Sequence, residues 1–333
     1  MHAFPFARRG AVSAKAQVFQ LFKLKKLFLQ HGMPFVDAYE QKAKGGYMFV
    51  RLKKVFVLFA LTLAMVSLAA STGRAEEAAA KEDFVSGEAS LAVMSAYIWR
   101  GQELTRQSIV LQPSATISYR GFSANAWANI DTSPYSVVDE HHTANLTETD
   151  ITVSYFRKVW MVNAGAGYIY YALNAPHSGA TDPLDSQEVF VSLGLDTILS
   201  PTLTVYKEID HYHQWYVLLG VSHTFRFNDT VGLKLAATAS YLKSEDADTY
   251  PEYDSAALAT GKKYNNFHDG TLLVALPLTL TRHITVTPSV GYVFPLCDDA
   301  RHEMKGRGLQ GKANPSERSS SFLYGGITAS FAF

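Results

Sequence analysis

Residues 208–214, Glu208-Ile209-Asp210-His211-Tyr212-His213-Gln214, bring two carboxylates and two imidazoles into seven positions. A carboxylate beside a histidine can activate a water as a general base. His211 and His213, two apart in an extended segment, would share one face and could hold a metal ion together, with His141 and His142 contributed by another loop. Neither set is complete. The water-activating arrangement needs a second Asp pair at the same mouth, and the candidates, Asp246 with Asp248 and Asp298 with Asp299, fall in other polar stretches. The metal arrangement has no defined third ligand. Ser222 and His223 are neighbours, so on a strand they point to opposite faces. His177 and Ser178 sit in a loop. No catalytic residue, metal site or cofactor is expected.

The elements that would position these residues are strands. From Glu82 onward the pattern has period two and returns in segments of about ten residues. In residues 88–99 Ala89, Leu91, Val93, Tyr97 and Trp99 form an apolar face, with Glu88, Ser90, Ala92 and Arg100 on the other. The alternation recurs in 109–119, 122–130, 151–155, 160–170, 189–195, 203–209, 215–225, 231–241, 268–278, 284–294 and 323–333, twelve segments in all. The off-face positions decide the class. They are small and polar, such as Ser123, Asn125 and Asn129, Gly165 and Gly167, or Thr285, Thr287, Ser289 and Gly291. A soluble sandwich would turn its apolar face inward, whereas bulky aliphatics opposite Ser, Thr, Asn and Gly suit a sheet whose outer solvent is lipid. Lipid allows no open sheet edge, because every backbone polar group must be paired. The expected fold is therefore all-β, a single closed antiparallel transmembrane barrel of about twelve strands.

Connection lengths agree. Alternate links are short, as at Arg120-Gly121, 157–159, 196–201, 226–230 and 280–283, while in the other set 132–148, 172–186, 242–266 and 295–321 are long and polar and 101–107 and 210–213 are short. Short periplasmic turns and long extracellular loops are the outer-membrane arrangement. Aromatics are expected in two belts on the outward face: Tyr97, Trp99, Tyr168, Tyr170, Trp215 and Tyr241 near the loops, and Tyr119, Phe122, Tyr155, Trp160, Phe225 and Phe333 near the turns. Residues 327–333 end on a half-apolar alternating run. Phe333 then marks the closing strand and is expected to act as an assembly signal, since unfolded outer-membrane proteins resemble one another in finishing on an aromatic residue read by the barrel assembly machinery.

Ahead of the barrel, Met48 to Lys54 form a basic region, Val55 to Ala70 an apolar run of 16 residues, and Gly73-Arg74-Ala75 a small-residue cleavage site. This is a secretory signal peptide over 48-75, too short for a membrane-spanning helix, with cleavage expected after Ala75. Residues 1-47 are expected to be a mis-annotated extension, because Lys44-Gly45-Gly46 can be encoded by a purine-rich ribosome-pairing sequence just before Met48. The remaining divisions are a periplasmic segment, 76-87, and the barrel, 88-333. The first 75 residues hold 12 of the 30 Lys and Arg but two of the 30 acids, so the rest carries 18 basic against 28 acidic side chains. Such an acidic chain is a poor partner for nucleic acid. Cys297 is the one cysteine, which excludes an intrachain disulfide.

Residues 95–105, Ser-Ala-Tyr-Ile-Trp-Arg-Gly-Gln-Glu-Leu-Thr, lead from a first strand through an Arg-Gly step. A Pro-containing second strand (Val110 to Tyr119), a tight Arg120-Gly121-Phe122 turn and a small-residue strand with Trp127 follow. Over residues 88 to 133 this resembles the short TorF-like putative porins of proteobacteria, although Trp127-Ala128-Asn129 stands where a Ser-Asn step is expected. The resemblance implies an outer-membrane location and a pore, with no catalytic residue.

On these strand phases Asp131, Glu148, Asp150, Glu188, Glu208, Asp210 and Asp269 face the lumen near the outer mouth, against Arg100, with Lys234 deeper. A carboxylate-lined pore favours cations. The expected function is passive diffusion of small polar, cationic solutes through a porin-like channel, with outer-membrane lipid and the assembly machinery as partners. An inner face rich in Gly and Ser is expected to leave room for water. The alternative is a non-conducting structural or adhesive barrel, in which Arg100 pairs with the carboxylates and loop 295–321 folds in.

Overall fold

The computed structural model describes residues 84–105, 108–134, 144–175, 182–308 and 314–333. The expected extension 1-47, the leader with Ala75, most of 76-87, and His141, His142, His177 and Ser178 lie outside them. Twelve strands form the barrel: β1 (Ser86–Met94), β2 (Val110–Tyr119), β3 (Phe122–Asp131), β4 (Asn145–Val159), β5 (Val162–Leu173), β6 (Ser186–Leu195), β7 (Thr202–Glu208), β8 (Gln214–Arg226), β9 (Gly232–Ser244), β10 (Asn265–Ala275), β11 (Ile284–Pro295) and β12 (Phe322–Ala332). Each pairs antiparallel with its chain neighbour, and the sheet closes where β1 meets β12, from Glu88 opposite Ala332 to Met94 opposite Gly326. The backbone of Phe333 extends this seam with two 3.0 Å hydrogen bonds to Gly87. No helix among the described residues is long and apolar enough to cross a membrane.

The outer wall is the expected apolar face. Leu91, Val153, Val191, Leu219, Leu272, Val290 and Ile327 are all exposed on it. Tyr119, Phe122, Tyr155 and Phe225 are exposed at the turn end, where the Phe122 and Tyr155 rings lie 4.6 Å apart. Short turns sit at that end as expected. Arg120 and Gly121 have φ of 50° and 86°, a left-handed pair suited to a two-residue hairpin. The turn after β4 is Trp160-Met161 rather than 157–159, because β4 keeps its pairing to Val159 opposite Val162. The same strand also begins earlier than the sequence pattern shows, at Asn145, so Glu148 and Asp150 are strand residues.

The loop end departs from expectation. Strand β1 stops at Met94, not at Trp99, and the chain then turns into the barrel. Tyr97 is therefore buried in the interior and not part of an outer aromatic belt. Residues Ile98–Trp99 and Gln102–Glu103 make a small hairpin whose tip is Arg100-Gly101, again with two positive φ angles, 47° and 75°. A Cβ on Gly101 would lie 2.6 Å from Cβ of Asp269, so this close approach requires glycine. A second small hairpin, Pro251–Tyr253 with Ala259–Lys263, and a helix, α1 (Asp298–Arg307), come from the two longest loops.

Candidate functional site

The barrel interior has an upper half filled by inserted segments and a lower half walled by small polar side chains and aromatic rings. Three insertions meet at Glu303 of α1, which is fully buried. Its Oε1 accepts from Gln102 Nε2 at 2.8 Å, and its Oε2 lies 2.6 Å from His268 Nε2 on β10. Gln102 also donates to the Tyr250 hydroxyl at 2.6 Å, which ties the first hairpin to the loop preceding the second. Arg307, one turn beyond Glu303, stacks 3.9 Å from the Tyr250 ring centroid. Burial disfavours its charge, but Tyr250, Tyr253 and Glu303 around it more than offset this and hold the guanidinium pKa above its usual value. Helix α1 starts with Asp298 and Asp299 and ends with Lys305 and Arg307, each sign suiting the helix dipole. Loop 295–321 thus does fold inward through α1.

The carboxylates of the mouth are mostly engaged inside the protein. Arg100 Nη2 donates to both oxygens of Glu188, at 2.7 and 2.6 Å, and the side chains are 7% and 1% exposed. Glu208 accepts the backbone N–H groups of Asp210, His211, Tyr212 and His213, which explains the tight 209–213 link. Glu148 accepts from the Tyr97 hydroxyl at 2.7 Å. Asp131 accepts from the hydroxyl of Ser108 and, at 3.0 Å, from the backbone of Ser133. Asp269 Oδ1 accepts from Tyr216 and Ser240 at 2.9 and 2.6 Å and lies 3.0 Å from His268 Nδ1. Asp210 does not join this group. It accepts from Gln187, which also receives the hydroxyl of Tyr168, a residue of the outward phase, because β7 ends at Glu208 and the alternation stops there. Among the described residues, charged side chains with a buried atom that has no hydrogen-bond partner include Asp150, at Oδ1, Arg100, at Nη1, and Arg307, at Nε. Lys234 lies at the turn end of β9, opposite Thr224, and is exposed.

Sequence reasoning missed Tyr97, Gln102, Tyr250, Tyr264, His268 and Glu303 as interior groups. It also took glycine on the inner wall as a sign of empty space. A Cβ on Gly165 would overlap the Phe156 ring, and one on Gly167 would lie 2.6 Å from Phe190. These glycines make room for rings rather than for water. Open space persists elsewhere in the lumen, in a cavity of about 430 Å³ bordered by Tyr97, Arg100, Trp127, Tyr216, Asp269 and Tyr324.

A closed twelve-stranded barrel with an apolar outside and a polar, partly filled inside fits the class of bacterial outer-membrane β-barrels. No family model matches the chain, and no curated protein matches it. Among solved structures it is similar to the NanC porin, at 14% identity and a TM-score of 0.44, over 72% of this chain and 98% of that one. It is also similar to an outer membrane channel from Pseudomonas putida F1, at 7% and 0.44, over 78% and 100%. A third likeness is the translocator domain of the autotransporter NalP from Neisseria meningitidis, at 8% and 0.34, over 84% and 97%. At these identities and TM-scores the likenesses carry no argument about function.

Proposed function

We propose that this chain is a narrow porin-like channel of a Gram-negative outer membrane, exported through a signal peptide ending at Ala75, for passive diffusion of small polar solutes with a preference for cations. The observation that carries the reading is the lumen. A cavity of about 430 Å³ persists inside the closed barrel, where Arg100, Gln112, Thr238, Asp269 and Thr271 place polar groups among apolar and aromatic side chains. A barrel that only needed to be filled would close a space of this size with side chains. The interior carboxylates Asp131, Glu148, Asp150, Glu188, Glu208, Asp269 and Glu303 outnumber the interior basic groups Arg100, His268 and Arg307, which supports the cation preference. The resemblance of residues 88–133 to TorF-like porins points the same way.

A second reading, a non-conducting structural or adhesive barrel, is favoured by one observation: the outer mouth is occupied by three inserted segments joined at Glu303. Single-channel recording of the folded barrel in a planar bilayer separates the two. Discrete conductance steps in KCl support the channel, and a barrel that inserts but never conducts supports the structural reading.

A further inference from the structure

A row of aromatic rings lines one side of the lumen, and its upper end already holds a cation. Phe190 on β6, Tyr206 on β7 and Tyr216 on β8 are direct cross-strand partners on the inward phase. Their ring centroids are 5.6 and 6.2 Å apart, and Phe156 on β4 extends the row 6.4 Å beyond Phe190. Cross-strand rings could be mere filler, but two features argue against that. The glycines of β5 leave the wall bare beneath Phe156 and Phe190, so the rings lie against the backbone with a face toward the lumen. Phe156, Phe190 and Tyr206 also keep partial exposure on this inward phase, which means that lumen space reaches them.

The Arg100 guanidinium shows what such a face accepts. Its central carbon sits 4.4 Å from the Tyr216 centroid and 5.4 Å from that of Tyr206, with Glu188 as counter-ion. A planar cation over an aromatic face is attracted by the ring quadrupole, more strongly once desolvated. We infer that the lower part of this row, Phe156, Phe190 and Tyr206, is a binding track for small organic cations of the guanidinium type, for which Arg100 is the built-in counterpart. This inference rests on the channel reading and names its solute class.

The test is isothermal titration of agmatine, a small guanidinium compound, into the folded full barrel in detergent, with D-glucose as the neutral control. Wild type is expected to bind agmatine saturably and glucose not at all. Phe190→Leu combined with Tyr206→Leu keeps most of the volume but removes two faces, and is expected to weaken agmatine binding about tenfold. Phe190→Leu alone gives a milder version if the double variant folds poorly, as judged by heat-modifiable mobility. Phe190→Tyr keeps the face and is expected to bind like wild type. Absence of saturable agmatine binding, equal binding of glucose, or an affinity unchanged by the leucine variants would overturn the inference. Potassium conductance without agmatine binding removes the track and leaves the channel, whereas agmatine binding in a barrel that does not conduct upholds the track and removes the channel.

Discussion

Arg100 and Glu188, 88 residues apart in sequence, form a two-oxygen ion pair across the inside of the barrel, with Nη2 at 2.7 and 2.6 Å from the carboxylate. The hairpin tip that carries Arg100 adopts a left-handed backbone to deliver it. A charge buried this deeply is tolerable only with its partner, so the pair anchors residues 95–105 inside the lumen.

Removing one partner should therefore cost more than removing both. Arg100→Leu leaves the Glu188 carboxylate buried with only the Tyr171 hydroxyl near it, at 2.9 Å, and is expected to lower barrel stability by roughly 3–5 kcal/mol. Arg100→Leu with Glu188→Leu removes both charges and is expected to cost distinctly less than the sum of the single changes. Denaturant unfolding of the four proteins in one detergent measures the coupling, and strict additivity would show that the pair does not hold the hairpin.

Glu303 joins α1 to Gln102 and His268, so it is the group through which the helix is held in the mouth. Glu303→Ala is expected to free α1, raise single-channel conductance and, by loosening the helix, let trypsin added from outside whole cells cut after Arg301 and Lys305. Glu303→Gln keeps the shape and part of the hydrogen bonding and is expected to fall between. Unchanged conductance and unchanged trypsin resistance in Glu303→Ala would show that α1 is fixed by its other contacts.

Strand phase gives the third expectation. Leu219 is 52% exposed on the lipid side near the middle of β8, and Leu219→Arg is expected to cost roughly 2–4 kcal/mol of barrel stability. Its neighbour Gly220 faces inward, where an added Cβ would lie 3.0 Å from the movable hydroxyl of Thr202. Gly220→Ser is expected to cost little. Equilibrium unfolding of both variants orders them, and a larger loss for the serine would reverse the assigned face.

The wall of this barrel was legible in the sequence because lipid outside and polar lumen inside impose a strict period of two, as Leu219 and Gly220 show. The twelve strands and the turn end followed from it. The filled mouth did not follow. Tyr97 continues the apolar alternation of β1, yet the strand stops at Met94, and nothing local to Tyr97 announces that the chain turns inward to meet Glu148. Helix α1 lies in a stretch whose composition reads as a polar loop, although acids in its first turn, bases in its last and Gly308 after it are helix signals. Its burial was not readable, since Glu303 is satisfied by Gln102 and His268, 201 and 35 residues away. Asp131, Glu148, Glu188, Glu208 and Asp269 are buried whereas Asp210 is not, and which carboxylate keeps its charge uncompensated depends on partners that only the assembled interior supplies.

Asp150 is where that distinction can be measured. Glu188 is neutralised by Arg100, whereas Asp150 Oδ1 has no hydrogen-bond partner among the described residues. Its neighbour two positions back, Glu148, is a second carboxylate on the same strand phase, and burial together with this like charge disfavours ionising both. If ions pass this level, a charge shared within the Glu148–Asp150 pair acts on them, and Asp150→Asn should weaken the cation preference modestly while keeping the channel's shape. The effect should be largest in dilute salt, because the Debye length is about 30 Å at 0.01 M and about 3 Å at 1 M. Reversal potentials in KCl gradients, recorded at low and high mean concentration, supply the comparison. The expected outcome is a wild-type cation preference that fades with salt and an Asp150→Asn preference that is weaker and flatter. Glu188→Gln is not an equivalent probe, since it strands Arg100 and alters the fold of the mouth. A reversal potential identical in wild type and Asp150→Asn at every salt concentration would show that Asp150 lies off the ion path or carries no charge there.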